Sequence, residues 1–200
     1  MSDPRIHAPA AARNRDAILA ALRPLLPASG LVLELASGSG EHVVHFAAAR
    51  PGLVFQPSDP DAARRASIDA WVAEAGLGNV RPALALDATA TEWGVTRAEV
   101  VFCANMIHIA PWAAAEGLVA GAGRVLGQGG LLCLYGPFRR EGVPMAASNG
   151  AFDADLRGRD PAWGVRNLEA VARLAAAAGF GAAVLVELPA NNLLATFRRQ

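Results

Sequence analysis

Residues 31–43 read LVLELASGSGEHV. An apolar run carrying Glu34 gives way to Ser37-Gly38-Ser39-Gly40, and apolar periodicity then continues through Phe46. That order spells a buried strand, a glycine turn and the first turns of a helix. Glycine at 38 and 40 lets the backbone turn tightly and approach a ligand with no Cβ in the way. The helix behind the turn aims its free N–H groups at the same space. The loop is therefore the first place to look for a ligand site.

On either side the same unit recurs. A helix over 14–25 carries Ile18, Leu19, Leu22 and Leu25 on one face. Strands are predicted at 31–35, 53–56, 80–86, 99–104 and 131–135, with helices at 41–50, 60–75 and 111–126 between them. Apolar strands alternating with amphipathic helices imply a parallel sheet covered on both faces, with ligands bound beyond the strands' carboxyl ends. The rhythm breaks at 136–167, a stretch rich in Gly, Pro, Arg, Asp and Asn whose length suits a lid-like insertion or binding loop after the fifth strand. A helix over 168–178 and strands at 183–188 and 193–197 follow. Residues 189–192 are short enough to join these two strands as a hairpin, which makes the last strand antiparallel. One α/β domain over 1–200 is expected, with a helical segment at 1–29 whose first nine residues look loose, and with no internal repeat.

Composition narrows the function. The chain is 200 residues long and 53% hydrophobic, enough for a sizeable core. Eighteen Arg, with no Lys, balance eighteen acids, so there is no net-charge footprint for a nucleic-acid duplex. Cys103 and Cys133 lie in separate apolar runs without metal or disulfide spacing and are expected as buried thiols in neighbouring strands. His42 and His45 are too few for a metal site. No secretory leader or stretch of about 20 apolar residues is present, so a cytoplasmic protein without membrane contact is expected.

The glycine loop has company. Asp59 follows the second strand, nineteen positions beyond Gly40, where a carboxylate can accept both hydroxyls of an adenosine ribose. Asp87 follows the third strand, where an acid can meet an adenine amino group, and Asn105 follows the fourth, at the mouth of the same crevice. A dinucleotide fingerprint wants a third glycine where Val43 stands, and Glu34 and Glu41 would repel a pyrophosphate. With no Lys there is no phosphate loop of the G-x-x-x-x-G-K type. A cationic, phosphate-free nucleoside suits these carboxylates, and S-adenosylmethionine is such a molecule.

Glu34 to Gly40 resembles motif I of the class I S-adenosylmethionine-dependent methyltransferases. Further blocks, among them Arg13-Asn14-Arg15, Gln56 to Asp59, Ser67 to Trp71, Asn105 to His108, Tyr135 to Phe138, Arg157 to Asp160 and Pro189 to Asn192, resemble the methyltransferase-like protein 26 group, catalogued as a domain of unknown function. The resemblance spans nearly the whole chain. It implies a Rossmann-like, seven-stranded, mostly parallel sheet with S-adenosylmethionine as donor. It puts Gly38 and Gly40 at the methionine end, Asp59 at the ribose and Asp87 at the adenine, with Asn14, Glu34, Ala36, Ala88 and Asn105 completing the donor site. Ser39 replaces the Thr usual in the motif and keeps its hydroxyl. The resemblance supplies no methyl acceptor.

Methyl transfer to a nucleophile is an in-line displacement, so positioning and exclusion of water matter more than a triad. His108, just past the fourth strand, can serve as a base or be satisfied structurally by loop backbone. Tyr135, the only tyrosine, can orient an acceptor or cap the core. Arg157 and Arg166, with Asn149 and Trp163, can hold a small anionic acceptor under a lid; alternatively the arginines pair with Asp153 and Asp160 to stiffen the loop. The aromatic residues form no stacking platform for nucleic acid, and Asn105-Met106-Ile107-His108 departs from the Asn/Asp-Pro-Pro-aromatic turn of adenine-N6 methyltransferases. The expected function is thus methyl transfer to a small molecule. A catalytically silent donor-binding protein is the alternative, and Val43 argues against a nicotinamide enzyme.

Overall fold

A computed structural model describes residues 3–200; Met1 and Ser2, part of the segment expected to be loose, lie outside the described residues. The elements run α1 (Pro9–Leu22), β1 (Gly30–Leu35), α2 (Glu41–Ala49), β2 (Leu53–Pro57), α3 (Ala62–Glu74), β3 (Ala98–Ala104), a 3-10 turn (Met106–His108), α4 (Trp112–Val125), β4 (Leu126–Gly136), α5 (Ala147–Arg159), α6 (Leu168–Ala177), β5 (Val184–Leu188) and β6 (Asn192–Arg198). Six strands form one sheet in the order β2-β1-β3-β4-β6-β5. The first four are parallel, and β6 runs antiparallel to both of its neighbours.

Side chains alternate across the sheet and give each face its own core. Leu33, Leu35, Val101, Leu132 and Phe197 pack against α4 and α6. Val32, Val100, Phe102, Leu131 and Leu194 pack against Ile18 and Leu22 of α1 and Val43 and Phe46 of α2. Cys103 and Cys133 fall on opposite faces of adjacent strands, and burial pushes both thiols up to about 12. Each fully buried aliphatic or Phe side chain contributes roughly 1.5–3 kcal/mol, so this three-layer core carries the stability.

Three expectations are corrected. The sheet has six strands, not seven, because residues 80–86 form no strand. They run beside β2 through two isolated bridges, Phe55 to Val80 and Ser58 to Leu84. Arg81 N–H donates to the Phe55 carbonyl at 2.9 Å, but Pro57 and Pro82 have no N–H with which to extend the ladder. The early residues are not loose where described. Ile6 N–H donates to Ser67 Oγ at 2.8 Å, Trp71 Nε1 donates to the Ile6 carbonyl at 3.0 Å, and Ala8 N–H donates to Glu41 Oε2 at 2.7 Å. This segment is a strap across α2 and α3, and α1 starts at Pro9, before the expected 14. Finally, 136–167 contains a regular helix, α5. Its buried positions are Asn149, Asp153 and Leu156, so the helical period is written mostly in polar residues. No helix among the described residues is long and apolar enough to cross a membrane.

Candidate functional site

The carboxyl ends of β1, β2 and β3 open on a cavity of about 570 Å³, lined among others by Ala36, Asp59, Asp61, Asp87, Ala88 and Trp163. Asp59, 2% exposed, braces the turn below it: its Oδ2 accepts from Gly38 N–H at 3.1 Å and its Oδ1 from Asp61 N–H at 3.0 Å. Each oxygen keeps a lone pair for a ligand hydroxyl. The two serines beside these groups tie the loop down. Ser37 N–H donates to the Ser58 carbonyl at 2.8 Å, and the Ser58 hydroxyl donates to the Glu34 carbonyl at 2.8 Å. Asp87 accepts from the N–H and hydroxyl of Thr89, which lower its pKa and keep it ionised.

Glu34 lies beneath this loop with no partner for its Oε2, and burial pushes its carboxyl up to about 8. A buried acid of this kind gains from a nearby cation, which would draw it into its charged form. The two glycines divide their labour. At Gly40 (φ +95) an added Cβ would sit 2.8 Å from the backbone of Ile68 in α3, so this glycine serves the chain's own packing. At Gly38 (φ +61) a Cβ would meet nothing closer than 4.0 Å. Neither glycine lines the cavity.

A second cavity of about 750 Å³ lies alongside, and Ile109 lines both. Its walls come from five distant segments: α1 (Arg13, Asn14), the ends of β3 and β4 (Asn105, Tyr135), α5 (Asn149, Phe152) and the β5–β6 turn (Ala190, Asn192). The last two walls are joined, since Asn149 Nδ2 donates to the Asn191 carbonyl at 2.9 Å and Asn191 Nδ2 donates to Ser148 Oγ at 3.1 Å. Backbone strain gathers here. Among the described residues, four non-glycines have positive φ: Ala36, Asn105, Ala190 and Asn191. The first three line a cavity, and the fourth holds the wall of one. Strain of this sort costs of order 1 kcal/mol per residue and marks sites where backbone placement matters.

Tyr135 is placed at the second cavity, 4% exposed, its hydroxyl accepting from Asn14 Nδ2 at 3.4 Å. Asn14 therefore faces this cavity rather than the first, and its Oδ1 lies 2.7 Å from His42 Nε2. His108, expected as a candidate base, stands at neither cavity. It is wholly buried, and burial lowers its pKa to about 3. Its Nδ1 accepts from the Arg166 N–H at 3.2 Å, and its carbonyl accepts from Gly164 N–H. Arg166 and Arg157 are likewise engaged by the chain itself. Arg166 donates to the carbonyls of Ile107, Ala110 and Ala162, and Arg157 Nε donates to Asp153 Oδ2 at 3.0 Å. Neither lines either cavity; Arg157 pairs with Asp153 as in the alternative, whereas Arg166 is taken up by backbone carbonyls and Asp160 pairs with neither. Trp163 lines the first cavity, under the Arg159 guanidinium. Sequence reasoning passed over Ile109 and Phe152 and gave Arg13 no role. The one signal for Arg13 was its place in the Arg13-Asn14-Arg15 block.

This sheet order, with its antiparallel hairpin and its crevice beyond β1 and β3, is the class I methyltransferase fold. It is shared with CalO1, a methyltransferase in calicheamicin biosynthesis solved with SAH bound (TM-score 0.75, 20% identity, 94% of this chain and 54% of that one). It is shared also with an O-methyltransferase family protein from Burkholderia thailandensis (TM-score 0.75, 17% identity, 94% and 60%). A third example is an O-methyltransferase family 2 protein from Planctomyces limnophilus in complex with apigenin (TM-score 0.75, 16% identity, 94% and 61%). The chain spans little more than half the length of these proteins. A family model matches residues 5–199, and the chain belongs to that family, described as a protein of unknown function, DUF938.

Proposed function

We propose that this protein is an S-adenosylmethionine-dependent methyltransferase acting on a small anionic molecule, within the narrower group of methyltransferase-like protein 26. The observation that carries this is the pairing of an acid-lined cavity with an acid-free one across Ile109. The first suits a nucleoside with a positive charge: Asp59 offers lone pairs to the ribose, Asp87 an acceptor to the adenine amino group, and Glu34, beneath the loop with no partner for its Oε2, gains from a cation nearby. The donor, when bound, supplies an electrophilic methyl group. The chain's residues hold donor and acceptor in line and keep water out. Calorimetry should show S-adenosylhomocysteine binding with Kd of about 10 µM, or about −7 kcal/mol, and no binding of NAD; the reverse result refutes the proposal. Binding of S-adenosylhomocysteine with no label passing from S-adenosylmethionine to any metabolite of a cell extract would favour the catalytically silent alternative.

A further inference from the structure

The second cavity carries more chemical information than its position. Arg13 is the sole charge in its lining, and no Asp, Glu, His or Cys lines it. Apart from Arg13, its polar groups are amides, the Ser148 hydroxyl and Tyr135. Nothing in the wall can take a proton from an alcohol or amine, so the acceptor must arrive already nucleophilic. A hydrogen-bond chain also gives the wall a direction. The Asn14 amide oxygen can only accept, so His42 Nε2–H donates to it at 2.7 Å. That fixes the amide, whose Nδ2 donates to the Tyr135 oxygen at 3.4 Å. With its oxygen accepting, the phenol keeps its own proton for the cavity.

We propose that the acceptor is a small carboxylate, methylated on oxygen, held by the Arg13 guanidinium and by the Tyr135 proton, with His42 acting through Asn14 to aim that proton. This deepens the proposed function and rests on it. In the reaction a carboxylate oxygen forms the O–CH₃ bond as the C–S⁺ bond breaks and its electron pair leaves with sulfur. A carboxylate and a sulfonium thus become a neutral methyl ester and a neutral thioether, and no proton moves. A site without a base suffices. His42, almost wholly buried behind Asn14 and held in its neutral form by burial, is a positioning residue.

The test uses the single tyrosine, which gives one carbon NMR signal when tyrosine is labelled at Cζ alone. Benzoate is the probe, benzamide its uncharged counterpart and phenol the hydroxyl control. Benzoate at about 10 mM should move the Tyr135 signal, with benzamide and phenol at least about ten-fold weaker. Arg13→Gln should weaken benzoate about ten-fold and leave S-adenosylhomocysteine affinity within about two-fold. His42→Leu should abolish the benzoate-induced shift, and His42→Gln, which restores an N–H donor, should recover it. In a second arm, the low-mass fraction of a cell extract is incubated with labelled donor and treated with mild alkali. Methyl esters release labelled methanol; ethers and N-methyl groups do not. Benzamide or phenol matching benzoate, or Arg13→Gln weakening S-adenosylhomocysteine as much as benzoate, overturns the inference. Alkali-stable label overturns the carboxylate class while leaving methyl transfer intact, whereas failure of S-adenosylhomocysteine to bind removes the proposed function itself.

Discussion

The two cavities meet at one side chain, Ile109, yet are built from opposite materials. The first is lined by three acids, Asp59, Asp61 and Asp87, together with Arg64 and Arg159; the second has one arginine and no acid. The first is made by the ends of successive β-α units, so its residues follow the strand rhythm. The second is assembled from α1, α5 and the β5–β6 turn as well as strand ends. The acids favour a cation and the acid-free wall an anion, so opposite charges would be held apart until the reacting atoms meet. The contrast also implies that the two halves can be damaged separately.

The largest effect should come from a change that harms both. Gly40→Ala sets a Cβ against the backbone of Ile68 at 2.8 Å and requires φ +95 of a non-glycine. A loss of about 3 kcal/mol in unfolding free energy is expected by denaturant titration. A loss under about 1 kcal/mol would mean that α3 can move away and that the loop is not built on it. Asp59→Asn should break only the first cavity. It removes a charged acceptor from the ribose position, so affinity for S-adenosylhomocysteine should fall roughly 100-fold, about 2.7 kcal/mol. Benzoate binding at the second cavity should be unchanged; a parallel loss there would show the two sites to be one. Arg166→Ala removes three hydrogen bonds to loop carbonyls, two of which, on Ile107 and Ala110, flank Ile109. Thermal denaturation should show a loss of about 2 kcal/mol. An unaltered melting point with weakened benzoate binding would restore this arginine to the acceptor.

These effects divide along the line between what the sequence shows and what it conceals. The run 31–46 is legible because strand, turn and helix are each local, and Asp59 and Asp87 are legible because they close regular units. Residues 80–86 look like a strand since their composition is mostly apolar; Pro82 within them, and Pro57 in the neighbouring β2, deny them a ladder. Helix α5 hides because its buried face is Asn149, Asp153 and Leu156, spaced as a helix requires but with only Leu156 apolar. The arginines misled for a different reason. A guanidinium serves a ligand or a carbonyl equally well, and the carbonyls that take Arg166 lie 56 to 59 residues away for Ile107 and Ala110. Arg13 shows the converse, an arginine lining a cavity that local pattern could not foresee.

A pH profile sharpens the comparison at the level of single groups. His42 and His108 are lowered by burial to about 4 and about 3 from 6.5. Below pH 6.5 the unfolded chain binds protons that the folded one refuses, so stability is lost as pH falls. Glu34 is raised from 4.5 to about 8, so here the folded chain holds the extra proton and stability is lost as pH climbs toward 8. His45 is lowered by burial in the same direction, so three histidines against one acid give a rising slope between 4.5 and 6.5, and the acid alone a falling slope above it, at most about 1.4 kcal/mol per pH unit per group. Melting temperature should therefore peak near pH 6.5. Glu34→Gln should remove the decline above that pH. A variant that still declines there locates the proton elsewhere.

The smallest expected effect concerns the strained wall itself. Ala36 lines the first cavity at φ 52, a conformation that glycine adopts freely. Ala36→Gly relieves roughly 1 kcal/mol of backbone strain but adds a similar amount of freedom to the unfolded chain. Stability should stay within about 0.5 kcal/mol. What changes is the folded loop, since glycine widens the set of backbone angles open to it and loosens the wall that Asp59 braces. Affinity for S-adenosylhomocysteine should fall about two- to three-fold, paid as ordering entropy, with benzoate binding at the second cavity untouched. A stability loss beyond about 1 kcal/mol would mean that the methyl group of Ala36 is held by packing, and that the positive φ is a consequence of that packing rather than the feature the cavity uses.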